Sequence, residues 1–217
     1  MAMKPVVQCT DPGRLTNVLF FTLLLLFILL AGFVHFSPDN AFDRYIQSAL
    51  HPLFSRVSLL FLTRLTFFGS FPFLFPAYIL FIMVNVWQRK IRYALSVVGV
   101  ALGGFLSEQL LKLIFQRHRP LAALIPNVND YSFPSGHSTS SLIFSAVLSY
   151  SLWHGGLPRP ARKAGVIFLG VWAFSIGMSR ILLNVHFPTD VAAGFCFGAL
   201  WIIAWYRLVR RIVRPAV

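Results

Sequence analysis

Charge is scarce in this chain. Of 217 residues only 12% are Asp, Glu, Lys or Arg, about half the ~25% of a typical soluble domain. So few charges could not cover the surface of a soluble globule. Disorder is excluded as well, because it needs low hydrophobicity and many charges. Acidic residues are scarcest, with 6 Asp+Glu against 19 Lys+Arg, too few for a site built on two metal ions. There are two cysteines. Cys9 lies near the N-terminus and Cys196 inside an apolar run, so no disulfide is expected between them, and no C-x-x-C or His/Cys cluster suggests zinc.

Apolar residues fill the space left by charge. The AVILMFWYC set makes up 57% of the chain, and 23 residues are Phe. This is the composition of an integral membrane protein, long enough for about five to seven helical spans in one bundle. The net charge of +13 would suggest nucleic acid in a soluble protein. Here cationic loops that hold a membrane protein's cytoplasmic side account for it, and no nucleic-acid partner is expected.

The expected fold is all-α: a polytopic six-span bundle, residues 1–217 forming one domain. The first span runs from about Val18 to Phe36, too long for a signal-peptide core and without a clear A-x-A site, so it reads as an uncleaved anchor. Residues 38–70 mix Asp39, Asp43, Arg44, Arg56 and Arg64 with Phe and Leu. They predict one or two helices lying in the interface or packed on the bundle. An extra span from Leu53 is disfavoured by Arg56 and Arg64. Further spans are expected at about 71–87, 93–115, 136–153, 164–183 and 188–206, with a basic tail from Arg207. With six spans, one face collects 12 of the 19 cations, among them Arg89, Lys90, Arg92, Arg159, Arg162, Lys163, Arg207, Arg210 and Arg211. The positive-inside rule makes that face, and both termini, cytoplasmic.

Several polar groups break the apolar pattern at the opposite face. Lys112, Arg119, His137, Arg180, His186 and Asp190 all fall at or near helix ends there. Ionisable groups at the edge of hydrocarbon are costly and tend to be functional. Three cations in one place would repel each other when empty but suit a polyanion, since Arg forks match phosphate oxygens and Lys adds a point charge. Ser135 and Gly136 stand at the start of the fourth span, where helix N–H groups favour an anion. Asp190 follows His186 by four residues and can hold one imidazole nitrogen, freeing the other as a nucleophile. His137 would protonate the leaving oxygen. The set is that of phosphoryl transfer without a metal or other cofactor.

Lys112-x6-Arg119-Pro120, Pro134-Ser135-Gly136-His137 and Ser179-Arg180-x5-His186-x3-Asp190 resemble the three signature motifs of the type 2 phosphatidic acid phosphatase (PAP2) superfamily. The resemblance covers about residues 88–210. It implies a six-span bundle and a metal-independent phosphohydrolase. His186 would form a phosphohistidine, Asp190 would orient it, and His137 would act as the acid. Lys112, Arg119 and Arg180 would bind phosphate with Ser135 and Gly136. Ser179 would pack or cap. The long apolar runs set the chain apart from the soluble members and point to a lipid phosphate as partner: undecaprenyl diphosphate, phosphatidylglycerol phosphate, phosphatidic acid or the 1-phosphate of lipid A, with a lean toward a polyprenyl or lipid A (di)phosphate. A bacterial inner-membrane enzyme with its site on the periplasmic face is expected. The alternatives are a lipid phosphotransferase using the same phosphohistidine, and a non-catalytic binder or transporter that would leave His137, His186 and Asp190 without work. His35, His51 and His154 are read as interface residues. His118, between Arg117 and Arg119, is discounted for the site, although it stands where it could touch a lipid headgroup. Asn127, Asn129, Asp130 and Tyr131 lie between the first two motifs, where they would shape headgroup choice.

Overall fold

The computed structural model describes residues 12–54, 56–121, 123–126 and 130–213. Cys9, Asn127 and Asn129 lie outside the described residues. Eight helices run in order: α1 Pro12–Phe36, α2 Ala41–Leu53, α3 Leu59–Phe67, α4 Phe71–Trp87, α5 Ile91–Phe115, α6 Gly136–Trp153, α7 Arg159–Leu182 and α8 Pro188–Val213. No strand occurs among the described residues. The protein is an all-helical integral membrane protein. Five stretches are long and apolar enough to cross a bilayer: Gly13–Phe36, Leu59–Trp87, Ile91–Phe115, Arg159–Leu182 and Pro188–Val209.

The boundaries differ from the sequence expectation in an instructive way. The second apolar stretch begins at Leu59, not at Phe71, because α3 leads into α4 through the short turn at Phe68–Ser70. Arg64 does not prevent this. It lies on the exposed side of α3, while Leu62 and Thr66 are buried. The basic residues Arg159, Arg162 and Lys163 sit inside the first turns of α7, and the expected tail after Arg207 continues as helix to Val213.

α6 is the Ser-rich centre. Its polar side chains are satisfied within the bundle: Thr139 Oγ1 donates to the Gly194 carbonyl at 3.1 Å, and Ser145 Oγ to the Leu169 carbonyl at 3.0 Å. Small hydroxyls of this kind let helices approach closely and join them by hydrogen bonds. α5 and α8 meet through another device. Trp201 and Trp205 lie in a glycine groove; a Cβ on Gly99 would stand 2.2 Å from Trp205 Cζ2, and one on Gly103 2.5 Å from Trp201 Cζ2. Each indole is fixed by its N–H, Trp201 to the Val100 carbonyl at 2.9 Å and Trp205 to Ser96 Oγ at 3.0 Å. A buried indole of this kind needs a partner for its N–H.

Most large apolar side chains on α1, α3, α4 and α5 are exposed, as befits helices that face lipid. At one end of the bundle the exposure reverses. Asp43, Ser132, Ser135, Ser179, His186 and Asp190 are all buried there. Buried polar groups in this number call for mutual hydrogen bonding, and they lead to the site.

Candidate active site

The groups singled out from the sequence converge on one end of the bundle. α5 brings Lys112 on its last turn. Gln116 takes a left-handed conformation (φ 46°) and ends α5, turning the chain into the segment with Arg117 and Arg119. α6 opens with Gly136 and His137, α7 closes with Arg180, and α8 opens with Asp190 in its first turn. Between α7 and α8 the chain reverses at Asn184 (φ 53°), a conformation Asn tolerates better than most residues. The Arg180 carbonyl then accepts from the N–H groups of Val185 and His186. This fixes where the imidazole stands.

His186 is buried and engaged at both ring nitrogens. Arg119 Nη1 lies 2.9 Å from Nε2. A guanidinium only donates, so Nε2 must offer its lone pair and the proton must sit on Nδ1. Nδ1 faces Ser132 Oγ at 3.2 Å. Its distance to Asp190 Oδ2 is 3.6 Å, too long for a hydrogen bond. The expected direct grip of Asp190 on His186 is thus corrected. Ser132 stands between them, its Oγ donating to Asp190 Oδ2 at 2.5 Å. The Phe187 N–H donates to the same carboxylate oxygen at 2.9 Å. Burial, then the cations Arg119, Arg180 and Lys112, hold the His186 pKa well below its ordinary range, while Asp130 opposes them. The resting imidazole is therefore neutral, its Nε2 lone pair accepting from Arg119.

The cation cluster is not bare. The sequence reading leaves Lys112, Arg119 and Arg180 repelling each other when empty, but carboxylates stand among them. Lys112 Nζ pairs with Asp130 Oδ2 and lies 3.5 Å from Glu108. Arg119 Nη2 donates to Asp130 Oδ1 at 2.7 Å, and its Nε donates to the Asp130 carbonyl at 2.8 Å. Burial alone would raise the Asp130 pKa, but Lys112 and Arg119 outweigh it and bring it down to about 2. Arg180 is only partly engaged: Nη1 donates to Thr66 Oγ1 at 2.9 Å, and its buried Nε has no hydrogen-bond partner among the described residues.

Ser135 and Gly136 also differ in detail from what the sequence suggests. Ser135 N–H donates to the Asp190 carbonyl, and its Oγ accepts from Ser138 Oγ at 3.1 Å. Gly136 does allow a close approach, but the group approaching is Glu108: a Cβ would stand 2.5 Å from its Oε1. A carboxylate of the protein itself thus lies beside the N-terminus of α6, where a helix favours negative charge. His137 is half-buried, with Gly69 packed against its ring. Ser179 Oγ donates back to the Ile176 carbonyl at 2.6 Å, a local helix contact. His118, His35 and His154 are exposed, and the side chain of His51 lies outside the described residues.

Three residues in the site have roles the sequence does not show: Ser132 and Arg117 are joined to Asp190, and Asp43 to Arg117. Only Arg117 carried a signal, as a third basic residue beside Arg119. Asp130, expected from the sequence only to shape headgroup choice, pairs with Lys112 and Arg119.

An all-helical membrane bundle with an imidazole, a carboxylate and three cations at one end defines a membrane phosphohydrolase class. The comparisons agree. The PAP2 superfamily model matches residues 92–214. Phosphatidylglycerophosphatase B of Bacillus subtilis (strain 168) is 32% identical over 184 residues, covering 82% of this chain and 89% of that protein. The crystal structure of a transmembrane PAP2-type phosphatidylglycerolphosphate phosphatase from Bacillus subtilis superposes with a TM-score of 0.80 at 29% identity, over 91% of this chain and 98% of that one. Aquifex aeolicus LpxE superposes with a TM-score of 0.60 at 25% identity, over 78% and 97%. This chain belongs to the PAP2 superfamily, as a membrane-embedded phosphatase.

Proposed function

We propose that the chain releases phosphate from a lipid phosphate monoester or diphosphate through a phosphohistidine on His186. The observation that carries this reading is the tautomer of His186, neutral, with the Nε2 lone pair turned to the phosphate-binding cation Arg119 and Nδ1–H toward Ser132 and Asp190. Nε2 attacks phosphorus and the phosphorus–oxygen bond to the lipid breaks. His137 gives its proton to the departing oxygen, then takes one from the water that attacks the phosphohistidine. Inorganic phosphate leaves and the imidazole is restored. Lys112, Arg119 and Arg180 hold the equatorial oxygens, the buried Nε of Arg180 being a donor in need of an acceptor. Positioned charge is the main requirement of phosphoryl transfer, and these three cations supply it without a metal. Phosphate release is expected to persist in EDTA; loss on chelation with recovery on adding Mg²⁺ would count against this mechanism.

We read the bundle as six spans, with α6 as the fourth in chain order beside the five apolar stretches. This helix is 18 residues long and polar in composition, and it is sheltered by α5, α7 and α8. An inner helix of this kind need not be apolar all round. Six spans put both termini on the face carrying Arg89, Lys90, Arg92, Arg159, Arg162 and Lys163, the cytoplasmic face by the positive-inside rule. The site then opens to the periplasmic side of a bacterial inner membrane, where a lipid tail stays in the bilayer while its phosphate reaches the cations. Phosphatidylglycerol phosphate heads the substrates to test, because the relative named for it aligns along most of this chain. Undecaprenyl diphosphate, phosphatidic acid and lipid A 1-phosphate complete the panel. Phosphate release from these purified lipids, with His186→Ala as blank, is the test; no release from any of them would overturn the proposal.

Asp130 occupies the two cations that substrate phosphate must reach. Displacing it is part of binding. Asp130→Asn is expected to lower KM, and the inhibition constant of inorganic phosphate, by about threefold to tenfold, the scale of a half-exposed ion pair with two partners. A rise in both constants would mean instead that Asp130 aligns Lys112 and Arg119 for the substrate.

A further inference from the structure

Asp190 is held from two sides. Ser132 and the Phe187 N–H occupy Oδ2, and Arg117 Nη1 donates to Oδ1 at 2.5 Å. Arg117 is buried, with its fork divided among several acceptors. Nη1 also reaches Thr189 Oγ1 at 2.8 Å, Nε and Nη2 reach the Pro38 carbonyl at 2.9 and 2.7 Å, and Nη2 reaches Asp43 Oδ2 at 2.7 Å. Its guanidinium carbon lies 4.0 Å from the centre of the Phe187 ring. Asp43, buried in the first turn of α2, is completed by the Asn40 amide at 2.9 Å and by the N–H and Oγ1 of Thr189 at 2.9 and 2.7 Å. Two carboxylates thus share one guanidinium, all of them sealed from water.

As a structural tie this unit is extravagant. Burying an ion pair costs several kcal/mol per ion, and apolar packing often does as well or better. A second carboxylate makes it worse, since one guanidinium (+1) and two carboxylates (−2) leave a surplus of one negative charge. The surplus lies beside the Nδ1 side of His186. On the opposite side Nε2 accepts from Arg119, and the influence of Arg119, Arg180 and Lys112 on the ring is opposed by Asp130. A neutral imidazole gains nothing from that surplus. An imidazole whose Nε2 has bonded to phosphorus becomes positively charged around Nδ1–H, and gains directly.

We propose that Asp43 and Arg117 are positioning residues for the phosphohistidine step: they aim Asp190 and keep a surplus negative charge on the Nδ1 side of His186, where it favours the positively charged phosphorylated ring over the neutral resting one. The inference rests on His186 being the nucleophile. It gives α2, through Asp43, a positioning role in the reaction.

The test uses the purified full chain in detergent with Asp43→Asn, which keeps shape and removes the surplus charge. By analogy with residues that orient first-line ligands, kcat for lipid phosphate is expected to fall about tenfold to a hundredfold. The rate at which ³²P label enters acid-labile phosphohistidine should fall by the same factor. The inhibition constant of inorganic phosphate should stay within about threefold, since Lys112, Arg119 and Arg180 are untouched. A kcat equal to the parent's overturns the inference. So does a kcat loss matched by an equal weakening of phosphate binding and a lowered unfolding temperature, which is the pattern of a purely structural tie. Should Asp43→Asn not be recovered folded, Arg117→Lys is read by the same criteria, because it keeps the charge and gives up the fork. An inactive parent chain overturns the proposed function itself, whereas an active parent with an equally active Asp43→Asn overturns this inference alone.

Discussion

His186→Ala is expected to abolish phosphate release, lowering kcat by at least about a thousandfold, the scale on which covalent nucleophiles fail when deleted. The fold should survive. The loop around His186 is held by backbone groups, with the Val185 and His186 N–H donating to the Arg180 carbonyl, and neither bond needs the imidazole. The side chain lost is polar, and its partners Ser132 and Arg119 keep Asp190, Asp130 and the Val185 carbonyl as acceptors. Quenching the parent enzyme in the first turnovers with ³²P-labelled lipid should trap an alkali-stable, acid-labile label that the variant lacks. A variant with activity within tenfold of the parent would remove His186 from the nucleophile's role.

His137→Ala should lose about a hundredfold to ten-thousandfold on a lipid phosphate monoester, the usual range for a general acid. The loss should depend on what departs. A lipid alkoxide needs a proton as its bond to phosphorus breaks, whereas p-nitrophenolate leaves as the anion. The variant should therefore be much less impaired on p-nitrophenyl phosphate. A diphosphate, which departs as a stabilised phosphate anion, should fall between the two. Equal losses on all three substrates would mean that His137 binds or shapes the site and does not deliver the proton.

The sequence carried the apolar runs and the three motifs because both are local signals. A run of Leu and Phe states its own environment, and Lys112, Arg119, His137, Arg180, His186 and Asp190 fall at helix ends that the runs themselves define. The second apolar stretch starts at Leu59, earlier than the sequence predicts, because Arg64 stands on the exposed side of α3. One-sided exposure of a cation on a helix is invisible until the packed face is known. Ser132, Arg117 and Asp43 are hidden for a different reason. Their meaning lies in contacts across the chain, such as Arg117 with Asp190, 73 positions away, and Asp43 with Thr189, 146 positions away. Asp43 read as one of several charges in a mixed segment, and nothing in its neighbourhood marks it as the buried one. The bridging serine was hidden by a spacing that already explained itself: His186 and Asp190, four apart, suggest direct contact, and only coordinates reveal the gap that Ser132 fills.

The glycine seat of Trp201 and Trp205 has a consequence at the other end of the same rod. Gly99 precedes Lys112 by 13 positions, about 20 Å along a helix axis. Because the indoles leave no room for even a methyl group there, any bulk at Gly99 must push α5 off α8 like a wedge under a beam. Glu108 and Lys112 ride on that beam. Gly99→Ala is thus expected to lower activity from a distance, by a change that never meets the reacting phosphorus.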